Sequence, residues 1–322
     1  RFEFSHSRRI DHSTPYRYSL PHMSFLKISK ICLAVSSIIV LLSLILLFKP
    51  GPRLSIEFTG GTLMEITAPE SKTQDDVETA VHAFQTEGKS LENVNVATVR
   101  GSAGTSYVVR LPPITNDDHQ KLLAHMKEKL GTFDELRFNT IGPSVSASLR
   151  KNSLIALTVA SIALILYLAF SFRGLPRQLS PWKFGILAVV AFLHDVIITA
   201  GIFVLISQST SFEVDTLFVT ALLTILAYSA NDTIVIFDRV RFAVQADPRA
   251  DLAVTVVRGL KDCVTRTTHT TLTALIMLFS LFFLGSESIR WFILALIVGT
   301  IIGTYSSYFV AAPLLVFWRK RK

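Results

Sequence analysis

The sequence predicts an α-helical polytopic membrane protein with six transmembrane helices and one α+β extracytoplasmic domain. Half of its 322 residues are hydrophobic, 17% are charged and its mean hydropathy is +0.47, which is typical of integral membrane proteins. Six apolar runs each have about the 20 residues that a helix needs to cross a bilayer. A polar segment, residues 49 to 150, separates the first run from the other five.

The first predicted span covers residues 31 to 48 and follows a polar, basic segment, residues 1 to 30. No secretory cleavage pattern follows this run, which favours a retained span over a signal peptide. The chain does not begin with Met, so we expect either a fragment of a longer protein or a late start, with Met23 as an internal candidate. Cys32 and Cys263 offer neither a metal-ligand spacing nor a disulfide framework, and both are expected to be reduced.

Residues 49 to 150 have the balance of a soluble domain. Residues 54 to 66 alternate in hydrophobicity and turn at Gly60 and Gly61, which predicts a strand, a tight turn and a second strand. Gly60 and Gly61 are interpreted either as a hinge between the first span and this domain or as an ordinary hairpin turn.

The rest of this domain predicts two helices and three strands. Residues 73 to 86 and 116 to 130 have helical patterns, and the strands are predicted at 94 to 100, 106 to 111 and 133 to 141. The order βαββαβ indicates a small ferredoxin-like sheet. The histidines of this domain are scattered and are interpreted as solvated helix residues, so no catalytic site is expected: His82, His119 and His125.

The five remaining spans form a bundle over residues 151 to 317, interrupted by a cytoplasmic loop at 239 to 266 and followed by a tail at 318 to 322. The spans are predicted at 153 to 170, 184 to 206, 216 to 237, 268 to 284 and 291 to 317. Residues 1 to 30, 171 to 183, 239 to 266 and 319 to 322 contain 6, 3, 6 and 4 Lys or Arg, whereas the opposite loops contain none and one. The positive-inside rule therefore predicts cytoplasmic termini and an external domain, in the inner membrane if the source is bacterial.

Asp232 is the main candidate functional residue, because it lies near the end of a nearly uncharged run, residues 216 to 237. An aspartate at the centre of a spanning helix costs about 2.5 to 3.5 kcal/mol on insertion scales, so a functional reason is expected. Thr224, Tyr228 and Asp232 follow one another at four-residue steps, and Asn231 lies beside them, which predicts one polar stripe. The alternative is that Asp232 merely lies at the cytoplasmic interface.

Two further features stand out in the spans. His194 and Asp195 lie mid-span, where a protonatable pair is costly, and they are interpreted either as part of a proton path or as a hydrogen-bonding contact between helices. Gly299 and Gly303 make a small-xxx-small face that lets a neighbouring helix approach closely, which indicates helix packing.

Six ordered sequence blocks, spread over most of the chain, carry a family resemblance. They are EFTGGT at 57 to 62, GPSVSASLR at 142 to 150, HDV at 194 to 196, AYSANDTIVIFDRVR at 227 to 241, RTTHTTLTAL at 266 to 275 and GTIIGTYSSYFVAAPL at 299 to 314. Together these blocks resemble SecF, the smaller half of the bacterial SecDF accessory of the Sec protein-export channel. That family belongs to the RND superfamily of proton-driven exporters.

The resemblance implies a role in protein export that uses the proton motive force, without enzymatic activity, metal or organic cofactor. It also implies that Asp232 and Arg266 line a proton path, to which Asn231 and the mid-span pair would belong. Arg266, Thr270 and Thr273 lie on one helical row that would hold water beside Asp232. The alternative for Arg266 is an ordinary positive-inside anchor. The coupling ion is expected to be a proton, with sodium left open because a carboxylate and neighbouring oxygens also bind hard cations.

The expected partners are SecD, as a separate or fused chain, the SecYEG channel, YajC or YidC, and the translocating polypeptide. Nucleic acid is not expected, because the basic residues cluster beside the apolar runs. Two alternative functions were considered. Half of an RND drug or lipid exporter would need a second half, and an intramembrane hydrolase using Asp195 and Asp232 would be expected to carry a GxGD block, which the sequence lacks.

Overall fold

The computed structural model describes residues 21–68, 72–86, 89–91, 94–101, 104–173, 180–247 and 249–318. Most of the predicted N-terminal segment, part of the connection at 171 to 183 and nearly all of the predicted tail lie outside these described residues.

The helices are α1 Pro21–Phe48, α2 Ile56–Thr59, α3 Gln74–His82, α4 Asn116–Leu130, α5 Pro143–Ser171, α6 Pro181–Ser209, α7 Thr216–Ala246, α8 Leu252–Leu284, α9 Arg290–Ser306 and α10 Ala312–Phe317. A π-helical segment, Ser307–Ala311, joins α9 to α10. The strands are β1 Gly61–Thr67, β2 Gln85–Thr86, β3 Lys89–Ser90, β4 Asn95–Gly101, β5 Gly104–Leu111 and β6 Glu135–Ile141.

The polar segment folds as the predicted βαββαβ unit. The four long strands form an antiparallel sheet in the order β4-β5-β1-β6, which is the ferredoxin-like arrangement, and β2 and β3 add a separate hairpin. α3 begins with a capping box in which Thr73 and Asp76 each accept the other's backbone N–H. The apolar sides of both helices pack against the sheet in a core that includes Met64, Val109 and Leu122.

The first predicted strand of this domain is wrong. Residues 56 to 59 form one turn of helix, α2, because the Ser55 hydroxyl accepts the backbone N–H of Glu57 and starts a helical turn. Both glycines that follow have positive φ, 75° at Gly60 and 116° at Gly61. A Cβ on Gly61 would lie 2.9 Å from the carbonyl oxygen of Leu111, so this turn from helix to strand requires glycine.

The prediction that His119 is solvated is also wrong. Its ring is buried and stacks on Phe138, with 3.6 Å between the ring centroids, while Nε2 lies 2.7 Å from Glu135 Oε1. Both partners belong to β6, so His119 is buried because α4 packs against the sheet.

Six helical segments are long and apolar enough to cross a membrane, as predicted: α1, α5, α6, α7, α8 and the continuous segment from residue 287 through α9 to α10. In α6, α7 and the last segment, half or more of the most hydrophobic 18-residue stretch is buried inside the protein, against 17% or less in α1, α5 and α8. The bundle therefore has an inner layer made by α6, α7 and α9, with α1, α5 and α8 around it.

Several helices extend beyond the predicted spans. α7 runs to Ala246 and α8 begins at Leu252, so the segment predicted as a loop at 239 to 266 is mostly helical. Val240 and Val244 of α7 share a buried core with Val256 of α8, and this apolar face continues the two helices beyond the predicted spans. Similarly, α5 begins at residue 143, within the sequence assigned to the α+β domain.

Candidate functional site

A buried polar cluster surrounds Asp195 in the middle of α6. Its side chain is fully buried, and Oδ2 accepts hydrogen bonds from Ser229 Oγ of α7 at 2.6 Å and from Ser306 Oγ of α9 at 2.9 Å. The other oxygen, Oδ1, lies 2.9 Å from Nδ1 of His194. Asp195 thus joins α6 to the other two helices of the inner layer through two hydrogen bonds, and it makes a third contact with its neighbour on α6.

His194 is itself buried and has an unused polar atom. Its Nε2 has no hydrogen-bond partner among the described residues, and its ring lies 6.5 Å from the ring of Tyr305 on α9. The Tyr305 hydroxyl lies 3.1 Å from the Ser36 hydroxyl of α1 and donates to the Cys32 carbonyl. A polar path therefore leads from the Asp195 cluster towards α1.

Asp232 follows Ser229 on α7 by about one helical turn, and it is only 3% exposed. Its Oδ2 accepts one long hydrogen bond, 3.4 Å, from Thr304 Oγ1. The Thr304 hydroxyl lies 3.0 Å from that of Thr271 on α8, which in turn accepts from the Tyr228 hydroxyl at 3.2 Å. A chain of three hydroxyl groups therefore leads from Asp232 across α9 and α8 back to α7.

α7 and α9 pack closely against each other beside the two carboxylates. A Cβ on Gly299 would lie 2.1 Å from Cδ1 of Ile225, and one on Gly303 would lie 3.1 Å from Cβ of Ser229. The predicted small face on α9 therefore lies against α7. Beyond it the π-helical segment begins at Ser307, whose hydroxyl lies 2.9 Å from that of Thr233.

The predicted residues divide into two groups. Asp232, Tyr228, Asp195 and His194 point into the inner layer, whereas Thr224 and Asn231 are exposed on the surface of the bundle. The row predicted to hold water beside Asp232 is likewise exposed and does not contact it: Arg266, Thr270 and Thr273. Asp232 and Arg266 form no ion pair, which leaves Asp232 without a cation among the described residues.

Sequence reasoning missed the hydroxyl groups that contact the two carboxylates. They are Ser229, Thr271, Thr304 and Ser306. A signal was available in the block GTYSS, whose small and polar residues are unusual within an apolar span. In the described part of the chain, no three His, Cys, Asp or Glu side chains come together as a metal site would require.

Comparisons with known proteins agree with this architecture. The family model described as "Protein export membrane protein SecD/SecF, C-terminal" matches residues 121–321, and the "SecD/SecF GG Motif" model matches residues 45–68. A protein translocase subunit SecF of Thermobaculum terrenum is 35% identical over 295 residues, which are 89% of this chain and 91% of that relative. This chain belongs to the SecF family of protein translocase subunits.

Other relatives show how SecF chains are organised. SecF of Desulfurispirillum indicum is 31% identical over 93% of each chain. SecDF of Thermus thermophilus is 32% identical over 94% of this chain but only 39% of its own length. A crystal structure of SecDF from Thermus thermophilus, described as a translocon-associated membrane protein, superposes with a TM-score of 0.77 at 29% identity and covers 96% of this chain and 40% of that one.

The family membership confirms the predicted resemblance, fold class and general function. The chain is an accessory subunit of the Sec translocase and a multi-pass protein of the bacterial inner membrane. Because its relatives include chains in which SecD and SecF are fused, partnership with SecD follows. The relatives are transport subunits, which is a non-catalytic role.

Proposed function

We propose that this SecF subunit couples proton movement through its helix bundle to work of the α+β domain on an exported polypeptide. The observation that carries the proposal is Asp232, a carboxyl group buried between helices with one long hydrogen bond and no cation beside it in the described structure. A charge held in this position is costly unless water or a cation reaches it. Exchange of a proton at Asp232 would therefore be linked to movement of the surrounding helices.

The cluster around Asp195 supports a second protonatable station. It lies within the same inner layer. Ser229 connects it to α7, which carries Asp232, and Ser306 connects it to α9, whose Thr304 donates to Asp232. Asp195 is better satisfied than Asp232, because three hydrogen bonds replace its lost hydration. We assign Asp232 to proton exchange and the Asp195 and His194 pair to an inner relay that also keeps the helices in register.

The exposed polar groups of α7 and α8 support a site that SecD completes. Asn231 and Arg266 are exposed on the surface of α7 and α8, two helices that are long and apolar enough to cross a membrane. Polar side chains of such helices generally face protein or water, not lipid. A second membrane subunit against this face would cover them and bring further polar groups towards Asp232. In this arrangement Arg266 faces SecD and reaches Asp232 only as the helices move.

The energy for such a cycle is available from the membrane. Each proton that crosses releases about 2.3 kcal/mol per 100 mV of membrane potential. Two solved SecDF structures have the same 29% identity to this chain but TM-scores of 0.77 and 0.60, the second being described as a super-membrane-facing form. Relatives of this chain thus adopt different arrangements of the same elements, as a coupled cycle requires.

The proposed orientation places both termini in the cytoplasm and the α+β domain outside, following the positive-inside rule. The Gly60 and Gly61 turn would then lie between the membrane and the moving domain. SecYEG, with YajC or YidC, would hold the complex beside the emerging polypeptide, and the coupling ion would be the proton, without any other cofactor.

Export of a radiolabelled secreted precursor tests this proposal in cells depleted of native SecF. Asp232→Asn and Arg266→Met should abolish the part of export that a protonophore also removes, and Thr304→Val should reduce it. Asp262→Asn and Arg258→Met are matched controls, because both side chains are exposed on α8, and they should export normally.

Unchanged export by Asp232→Asn and Arg266→Met, with normal membrane insertion, would contradict the proton-path assignment. Export that follows an imposed sodium gradient and ignores a protonophore would contradict the choice of ion.

A further inference from the structure

The segment immediately after α1 touches the outer ends of two inner-layer helices at once. Arg53, Ser55 and Glu57 precede the Gly60 turn, so they lie where the first span enters the α+β domain. The loop between α6 and α7, residues 210 to 215, packs against them. α6 carries Asp195 and α7 carries Asp232. The loop therefore connects the two helices that hold the proposed proton-exchange residues.

Glu57 contacts the start of α7. Its Oε2 accepts the backbone N–H of Thr216, the first residue of the helix, at 2.7 Å, while the N-cap residue Asp215 accepts the N–H of Phe218 at 2.7 Å. The first turn of a helix presents unpaired N–H groups and a partial positive charge, which a carboxylate stabilises. The α+β domain therefore supplies one of the two carboxylates that cap α7.

Arg53 contacts the end of α6 in the complementary way. One guanidinium nitrogen donates to the carbonyl oxygens of Ser207 at 3.0 Å and Thr210 at 3.4 Å, where the helix leaves carbonyl groups unpaired and carries a partial negative charge. Residues four apart in the sequence thus match the opposite electrostatic ends of two adjacent helices.

Backbone hydrogen bonds and an ion pair strengthen this junction. The Val214 N–H donates to the Arg53 carbonyl at 2.8 Å, and the Ser55 N–H donates to the Val214 carbonyl at 2.9 Å, so the segment and the loop form a short parallel bridge. Arg110 of β5 forms an ion pair with Glu213 of the loop. The junction therefore involves both the entry segment and the sheet.

We propose that Arg53 and Glu57 are positioning residues that lock the α6–α7 hairpin to the α+β domain, so that movement of these helices is transmitted to the domain as a rigid unit. This inference rests on the proposed function, because the transmitted movement is the one driven at Asp232. The junction stays closed throughout the cycle, and the motion is taken up elsewhere.

The first test measures export by Glu57→Ala and Arg53→Met in cells depleted of SecF, because both substitutions remove the contacting group. Each should lose about fivefold or more of protonophore-sensitive export, as expected for removal of an energetic coupling between two sites. Glu128→Ala, which removes an exposed carboxylate on α4, should export normally. Glu57→Ala combined with Asp232→Asn should export no worse than Asp232→Asn alone, since both interrupt one process.

The second test replaces the junction covalently. Leu54 and Val214 are bridge partners, so Leu54→Cys with Val214→Cys, in a chain whose Cys32 and Cys263 are replaced by serine, should form a disulfide on oxidation. The cross-linked chain should export normally. The same cross-link should restore export to the Glu57→Ala variant, and reduction should remove the rescue, which loss of folding alone would not produce.

The outcomes separate this inference from the proposed function. Normal export by Glu57→Ala would overturn rigid transmission, and so would export blocked by the disulfide in an otherwise native junction. A defect in Asp232→Asn would still support the proton path in either case. Normal export by Asp232→Asn would remove the proposed function and the transmission with it. In that case the cross-link would report only a static contact between the domain and the hairpin.

Discussion

Gly299→Ala should destabilise the bundle by overpacking the contact between α7 and α9. The new Cβ would lie 2.1, 2.3 and 2.9 Å from Cδ1, Cγ1 and Cγ2 of Ile225, whereas carbon atoms in contact lie about 3.5 to 4.0 Å apart. Ile225 is 1% exposed and packs in a buried apolar cluster with Ala221 and Ala295. Either the side chain leaves its rotamer or the helices separate, at a cost of about 1 to 3 kcal/mol.

A second substitution tests whether this overlap is the cause. Ile225→Ala removes the three overlapping atoms, and by itself it should cost about 2 to 5 kcal/mol through the cavity it leaves. In the double variant the new Cβ at position 299 occupies part of that cavity. The double variant should therefore be more stable than the sum of the single effects by about 1 to 3 kcal/mol.

The measurement is the free energy of unfolding of the purified protein in mild detergent, titrated with a denaturing detergent. Gly142→Ala is the control, because no heavy atom lies within 4 Å of its added Cβ, and it should cost less than about 1 kcal/mol as a change of N-cap residue. Additivity of the two substitutions within about 0.5 kcal/mol, or a Gly299→Ala cost as small as that of the control, would refute the packing argument.

Two further predictions concern carboxyl groups. Asp195→Ala leaves the Ser229 hydroxyl and His194 Nδ1 without their buried partner, while Ser306 keeps its hydrogen bond to the Gly303 carbonyl, and it should cost about 1 to 3 kcal/mol of unfolding free energy. Asp195→Asn keeps an acceptor and should cost less, so equal losses in the same titration would contradict this account. At the N-cap of α7, burial raises the pKa of Asp215 against the smaller lowering effect of the hydrogen bond from Phe218 N–H. Since the folded-state pKa exceeds the unfolded one, the native protein loses stability as pH rises through that folded pKa. Asp215→Asn keeps an N-cap acceptor and does not ionise, so its stability relative to the native protein should grow over this rise in pH, and a parallel pH dependence of the two would contradict the assignment.

Much of the architecture follows from local patterns in the sequence. Apolar runs of bilayer length specify the spans, because a helix satisfies its own backbone hydrogen bonds wherever lipid surrounds it. The βαββαβ order follows from short periodic segments, and Asp232 stands out because charge is rare in such runs. One exception is α2, where a polar cap at Ser55 favours a helical turn over the strand that the alternating pattern predicts. Another is the predicted loop at 239 to 266, which is mostly helical.

The contents of the site required the tertiary structure. The sequence placed Arg266 on a row towards Asp232, but the packing of α8 turns that row outward and brings Thr271 inward instead. Likewise, nothing local to Glu57 indicates that it caps a helix that begins 159 residues later.

The sequence by itself determined the class of polytopic membrane protein, the six spans, the small sheet and Asp232 as the main candidate functional residue. Tertiary structure alone decided which hydroxyl groups reach Asp195 and Asp232, and which residues join the domain to the bundle. The physical reason is that helix formation depends on neighbours within a few residues, whereas the rotation of one helix against another depends on packing across the whole bundle. A rotation of one residue, 100° about the helix axis at about 3.6 residues per turn, exchanges a partner of the carboxylate for a surface group.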